Sequence, residues 1–251
     1  METILVACET IRDEILRSLD ALGLKFTVVW LEGGLHNAPE RLRKRLQGVL
    51  SDSDGACERL LIAMGYCGGG LRDLTTGNYE TVVPLTDDCL SLLLGSHSAR
   101  RKASVPATYF LTGGWLSHEM NVVSSYEKAI LRFDPGTALR LNKVLLEGYS
   151  RFGLLNTGVY DLKDAKTRVL PLARGLDLKV EVINSDLSWL HQFLKGPYDN
   201  RDLFLRVPPH GKIRFADWLE LFSGKRDSRA ADEMVVNPDD MKGGNLHGTG
   251  A

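Results

Sequence analysis

Apolar residues recur in two rhythms along the first hundred positions of the chain. Ile4-Leu-Val-Ala7 is a short unbroken run, after which Ile11, Ile15, Leu16, Leu19 and Leu22 return every three or four residues through Glu9–Leu22. The first pattern predicts a buried strand and the second a helix with one apolar stripe. Lys25–Leu31 is rich in β-branched and aromatic residues, and Ala38–Leu50 carries Leu42, Leu46, Val49 and Leu50 on one side, which repeats strand and helix. Arg59–Tyr66 and Tyr79–Leu85 predict a third and a fourth strand. Asp87–Leu94 predicts a helix opened by Thr86 or Asp87 as N-cap.

Strands apolar on both sides that alternate with helices predict a parallel sheet covered on both faces by right-handed crossovers. The expected fold class is therefore α/β, doubly wound and mostly parallel. Thr108–Thr112 predicts a fifth strand, and helices follow at about 120–132 and 136–149, the second introduced by Asp134-Pro-Gly. Asp161–Ala173 reads as helix, Asp177–Ile183 as strand, 186–195 as helix and Leu203–Val207 as strand. The second half either joins its strands to the same sheet or forms a second, smaller α/β lobe with a boundary near 115–160. Residues 1–222 then make the α/β domain. The segment 223–251 is poor in bulky apolar residues and reads as a flexible or arm-like tail.

Composition removes several function classes. Thirty-one Lys and Arg against 32 Asp and Glu give a formal charge of −1, so there is no chain-wide attraction for nucleic acid or for an anionic membrane. The apolar runs Arg59–Gly65 and Cys89–Gly95 fall far short of the roughly 20 residues that span a bilayer. The opening residues lack the positive region of a secretory signal, which predicts a cytoplasmic protein. In that reducing compartment four cysteines are ligands, nucleophiles or core residues before they are disulfide partners.

The ligand crevice of a doubly wound sheet lies beyond the carboxyl ends of its strands. Cys8 ends the first strand, Cys67 ends the third in Gly65-Tyr-Cys-Gly-Gly-Gly70, and Cys89 lies in the first turn of the helix after the fourth. Adjacent strands are about 4.8 Å apart, so three thiols can converge there, while Cys57 belongs at the opposite edge. Three thiolates with a fourth position open suit a catalytic zinc site. Two other readings stay open: separate core thiols, and a nucleophilic or redox thiol, since the helix N-terminus at Cys89 would stabilise its thiolate.

Around these cysteines, Gly68, Gly69 and Gly70 let a backbone approach a ligand. Asp87 and Asp88 are helix caps or bases, with Asp88 the candidate catalytic residue. Ser96 and His97, in a loop that continues into Arg100-Arg-Lys102, and Trp115, after Thr112-Gly-Gly, are candidate substrate-binding residues, and His97 also a candidate fourth metal ligand. His36 shares the edge, and His118, His191, His210 and His247 carry no partner pattern. The chain has no G-x-G-x-x-G, phosphate loop, G-x-S-x-G or H-E-x-x-H motif, so nucleotide, serine-hydrolase and common metalloprotease chemistries lose their support.

Ala7-Cys8, Gly65-Tyr-Cys-Gly-Gly-Gly70, Pro84-Leu-Thr-Asp-Asp-Cys-Leu-Ser-Leu-Leu-Leu-Gly-Ser96 and Tyr109-Phe-Leu-Thr-Gly-Gly-Trp115 together resemble a bacterial and archaeal domain family of unknown function, over about residues 2–220. The resemblance implies that the three cysteines are a shared site and that the protein works near corrinoid proteins and one-carbon methyltransferases. This chain has Cys67-Gly-Gly-Gly70 where that family usually has Cys-Gly-Asn-Gly, and Asp87 where it often has histidine, which leaves the fourth ligand unnamed. A three-thiolate zinc holds a substrate thiol as thiolate at neutral pH, and the expectation that follows is methyl transfer to or from a thiol, folate or corrinoid carrier. The alternatives are a non-catalytic module that binds a metal, a corrinoid or a partner methyltransferase, and an iron–sulfur protein built on the same cysteines. A small-molecule substrate and a homo-oligomer complete the expected partners.

Overall fold

The computed structural model of the chain describes residues 2–185 and 187–222. The expected tail over 223–251 lies outside them. The first half builds β1 (Thr3–Cys8), α1 (Arg12–Ala21), β2 (Thr27–Leu31), α2 (Pro39–Asp52), β3 (Arg59–Ala63), β4 (Glu80–Pro84) and α3 (Cys89–Leu93). These strands lie in the order β2-β1-β3-β4, all parallel, with β8 (Phe204–Val207) antiparallel on the far edge beside β4.

Alternation along the strands separates two cores. Ile4, Val6, Leu60 and Ile62 face α2 through Leu42, Leu46 and Leu50, together with Trp218 of α10 (Ala216–Phe222). Leu5, Ala7, Leu61 and Ala63 face Ile11 in the turn before α1, Ile15 of α1, and α9 (Ser188–Lys195) through Leu190 and Phe193. Strands β1, β3 and β4 therefore bury both faces, the reason their sequences are continuous apolar runs, whereas the edge strands β2 and β8 are only partly covered. The fold is doubly wound α/β.

The second half forms its own parallel sheet, β5 (Thr108–Leu111), β6 (Arg151–Asn156) and β7 (Lys179–Asn184) in that order. One of its faces, through Phe110, Leu155 and Ile183, closes the layer that holds α1 and α9. The other, through Leu111, Phe152 and Leu154, packs on α6 (Val122–Ile130) and α8 (Leu162–Gly175). After β7 the chain returns to the first sheet with α9 and β8. Several elements differ from the sequence expectation. Strand β6 had no prediction, because Arg151–Asn156 is six residues interrupted by Gly153 and follows directly on a helical pattern that ends as α7 (Pro135–Leu145); so short an apolar run has no decisive period. Helix α4 (His97–Ala103) replaces the expected loop, and α10 adds a further helix.

Between the two sheets lies one buried carboxyl. Glu14 of α1 is fully buried, receives the Thr157 hydroxyl at 2.8 Å on Oε1, and has no partner on Oε2. Burial raises its pKa above the ordinary value, and the Thr157 hydrogen bond only partly offsets this. Folding thus favours the protonated acid, so the stability present below the unfolded-state pKa is lost as pH rises through the folded one. Glu14→Gln is expected to remove that loss and to raise stability at neutral pH by about 1–3 kcal/mol. Urea denaturation of both proteins across acid and neutral pH measures it; parallel pH profiles would contradict the account.

Candidate functional site

The helices on either side of β1 leave in opposite directions: α1 covers one face of the sheet and α2 the other. A crevice opens between the ends of β1 and β3 for that reason. Cys8 is the last residue of β1, Cys67 begins a 3-10 turn (Cys67–Gly69) just after β3, and Cys89 is the first residue of α3. All three line one cavity of about 520 Å³. Cys57 is buried near the opposite end of β3.

The loops that carry Cys67 and Cys89 are joined through their backbones. The Tyr66 N–H donates to the Thr86 carbonyl and the Cys67 N–H to the Asp87 carbonyl, each at 2.8 Å. Gly65 permits this approach, since a Cβ there would lie 2.4 Å from the Asp88 nitrogen. Cys67 itself has φ +47°, a left-handed conformation that costs a residue with a β-carbon about 1–2 kcal/mol. Such strain is characteristic of functional positions, and here it falls on a residue of the cavity wall.

The thiols share one electrostatic environment. Burial is the main cause that raises the pKa of Cys8, Cys67 and Cys89. Cys67 and Cys89 are partly exposed, but to the cavity, and Cys89 is raised further by Cys8, Cys67 and Asp88. The Thr10 hydroxyl, 3.1 Å from Cys8 Sγ, works in the other direction for both Cys8 and Cys89. Among the described residues no three His, Cys, Asp or Glu side chains already stand grouped as a metal site.

The two aspartates divide their roles. Asp88, and not Thr86 or Asp87, is the N-cap of α3: its Oδ1 accepts from the Ser91 N–H at 3.0 Å, and its Oδ2 from Arg100 Nε at 2.9 Å. Burial raises the Asp88 pKa against the pull of Arg100. Burial also pushes Asp87 upward, but His97, Arg100 and Ser91 outweigh it and its pKa falls. His97 is 7% exposed, with Nδ1 3.2 Å from Asp87 Oδ1. It is therefore a buried partner of Asp87 within a helix, not a loop residue.

The second sheet supplies another part of the wall. Thr112 caps α5 (Gly113–Ser117) by accepting the Trp115 N–H at 3.0 Å, and donates its hydroxyl to the Thr10 carbonyl at 3.2 Å. This places Trp115 close to the turn after Cys8. Trp115 stacks on His118 with centroids 5.2 Å apart, meets His36 at 5.6 Å, and donates Nε1–H to the Tyr109 hydroxyl at 3.3 Å. Tyr109 in turn meets Tyr149 edge to face at 5.3 Å.

Of the residues expected from sequence, Cys8, Cys67, Cys89, Gly68, Asp88 and Trp115 line this cavity, whereas Gly69, Gly70, Ser96 and His97 are not part of its lining. Ser96 caps α4, accepting the Ala99 N–H at 2.9 Å. Thr10, His36, Arg100, Tyr109 and Tyr149 belong to the wall as well. Thr10 was legible as the second residue after Cys8, and Tyr109 as part of a strand. Tyr149 and His118 had no local signal, because their place depends on the second sheet and on Trp115.

A family model described as "Protein of unknown function (DUF1638)" matches residues 30–194. That span contains Cys67, Cys89 and the aromatic wall, but not Cys8. No curated protein and no solved structure matches the chain.

Proposed function

The chain belongs to this family of proteins of unknown function, and we propose that Cys8, Cys67 and Cys89 hold a zinc ion with which the protein transfers a methyl group to or from a thiol, folate or corrinoid carrier. The observation that carries the reading is that three cysteines from three separate segments line one cavity. Their chemistry fits the metal: buried thiols that raise one another's pKa are protonated when alone and give up their protons to a divalent cation. Because they are not already grouped as a site, loading entails their rotation into the cavity. When bound, zinc would hold a substrate thiol as thiolate at neutral pH.

The chain's own residues would prepare the site. Asp88 fixes the first turn of α3, and so Cys89, while its link to Arg100 holds α4 against that turn. Trp115 closes one side of the cavity against water. The reducing cytoplasm would keep the thiols available, and no helix among the described residues is long and apolar enough to cross a membrane. One observation favours a second reading, a binding module without turnover: both Asp88 oxygens are engaged by Ser91 and Arg100, which leaves the expected base already occupied.

Anaerobic purification with metal analysis tests the proposal. The wild type is expected to carry roughly one zinc per chain, and Cys8→Ser, Cys67→Ser and Cys89→Ser each to bind it at least about 100-fold more weakly. A wild type that takes up no zinc on titration would sink the reading. A brown protein with visible charge-transfer absorption would replace zinc by an iron–sulfur cluster. Zinc binding without methyl transfer between methylcobalamin and a thiol would favour the module.

A further inference from the structure

The sulfur edge forms only part of the cavity wall. Trp115, Tyr109, Phe110 and Tyr149 bring four aromatic rings to the same cavity from the second sheet and the segment beside it. Such a wall suits a flat apolar ligand or a cation, because the face of each ring carries negative charge. The charged lining decides between them. Glu32, Asp87 and Asp88 border the cavity against one guanidinium, that of Arg100.

Arg100 is itself committed, with Nε 2.9 Å from Asp88 Oδ2, and its guanidinium lies 4.2 Å from the centroid of the Phe110 ring. An anionic ligand would have to break that ion pair and would meet Asp88. A neutral flat ligand would exclude water from carboxylates without replacing it. A cation that offers no hydrogen bond, only diffuse charge over methyl groups, gains from the rings and leaves every existing pair intact. The internal Arg100–Phe110 contact takes the Phe110 face, so Tyr109, Tyr149 and Trp115 are the rings that remain for the ligand.

We propose that the cavity binds a small organic cation, methylated on nitrogen or sulfur, between the aromatic wall of the second sheet and the acidic edge of the first. The proposal deepens the methyl-transfer reading by naming the methyl-bearing substrate as an onium ion, but the binding needs no metal. Methyl transfer from such a donor balances simply. A thiolate lone pair forms the new S–CH3 bond as the C–N or C–S bond breaks, and the electron pair of that bond stays on the departing amine or sulfide, which leaves neutral.

Calorimetric titration with choline, and with its uncharged isostere 3,3-dimethylbutan-1-ol at equal ionic strength, tests this. Choline is expected to bind at least about 10-fold more tightly, and Trp115→Leu to weaken it about 5- to 30-fold, while Trp115→Phe restores part of the affinity. Circular dichroism of Trp115→Leu guards against misfolding, and Tyr109→Leu against Tyr109→Phe repeats the comparison at a second ring. Equal affinity for choline and the isostere, or variants that lack these rings yet bind choline as the wild type does, would overturn the proposal. The same titration in Cys67→Ser separates it from the zinc reading. Choline binding retained there supports the aromatic site whatever the metal result, and binding lost there would assign the cation to the sulfur edge and reject the site.

Discussion

Trp218→Ala is expected to destabilise the protein by about 3–5 kcal/mol and to loosen both cysteine loops together. Trp218 is fully buried, packs on Tyr66 with ring centroids 5.3 Å apart, and donates Nε1–H to the Thr86 carbonyl at 3.0 Å. The same carbonyl accepts the Tyr66 N–H. One indole thus braces the residue before Cys67 and the loop that leads to Cys89. Truncation removes a large buried surface and leaves a cavity behind the loops. Chemical denaturation reads the first effect, and the rate at which Cys67 and Cys89 react with a disulfide reagent reads the second. Trp218→Phe keeps most of the packing and loses the hydrogen bond, so a smaller cost of about 1 kcal/mol is expected. A Trp218→Ala protein with the wild-type midpoint and wild-type thiol reactivity would show that α10 does not support the site.

Gly65→Ala is expected to cost at least about 2 kcal/mol, although it adds only one methyl group. The added carbon would lie 2.4 Å from the Asp88 nitrogen and 2.6 Å from the Asp87 carbonyl carbon. These are backbone atoms, so no side chain can swing aside. Relief requires that the loop after β3 and the turn before α3 separate, which breaks the two hydrogen bonds between them. Cys67 and Cys89 would then move apart with their loops, and a ligand that needs both should bind more weakly in the same variant. Thermal unfolding with parallel zinc titration measures both effects. Unchanged zinc affinity in a destabilised protein would uncouple the loop contact from the site.

The first sheet was legible because β1, β3 and β4 are buried on both faces and the helices between its strands carry single apolar stripes. Either pattern survives in sequence without knowledge of any partner. The position of β6 was not legible, since Phe152, Leu154 and Leu155 form too short a run to have a period of their own. Its strand character comes from pairing with β5 and β7 on both sides. The N-cap of α3 falls on Asp88, and not on Thr86 or Asp87, for a similar reason. Thr86, Asp87 and Asp88 all have suitable side chains, and the choice fell to Asp88 because Arg100 and Ser91 hold its carboxylate while His97 holds Asp87.

For the candidate site, sequence by itself determined that Cys8, Cys67 and Cys89 end or follow strands at one edge, because chain order and strand direction in a doubly wound sheet leave no other placement. Tertiary structure alone decided what stands around them. Trp115, Tyr109 and Tyr149 belong to a second sheet whose position depends on the helical layer it shares with the first, and His97 lost its expected place at the substrate because burial gave it to Asp87. Periodicity records which way a residue faces within its own element. Which neighbour it meets there is set by packing between elements far apart in the chain.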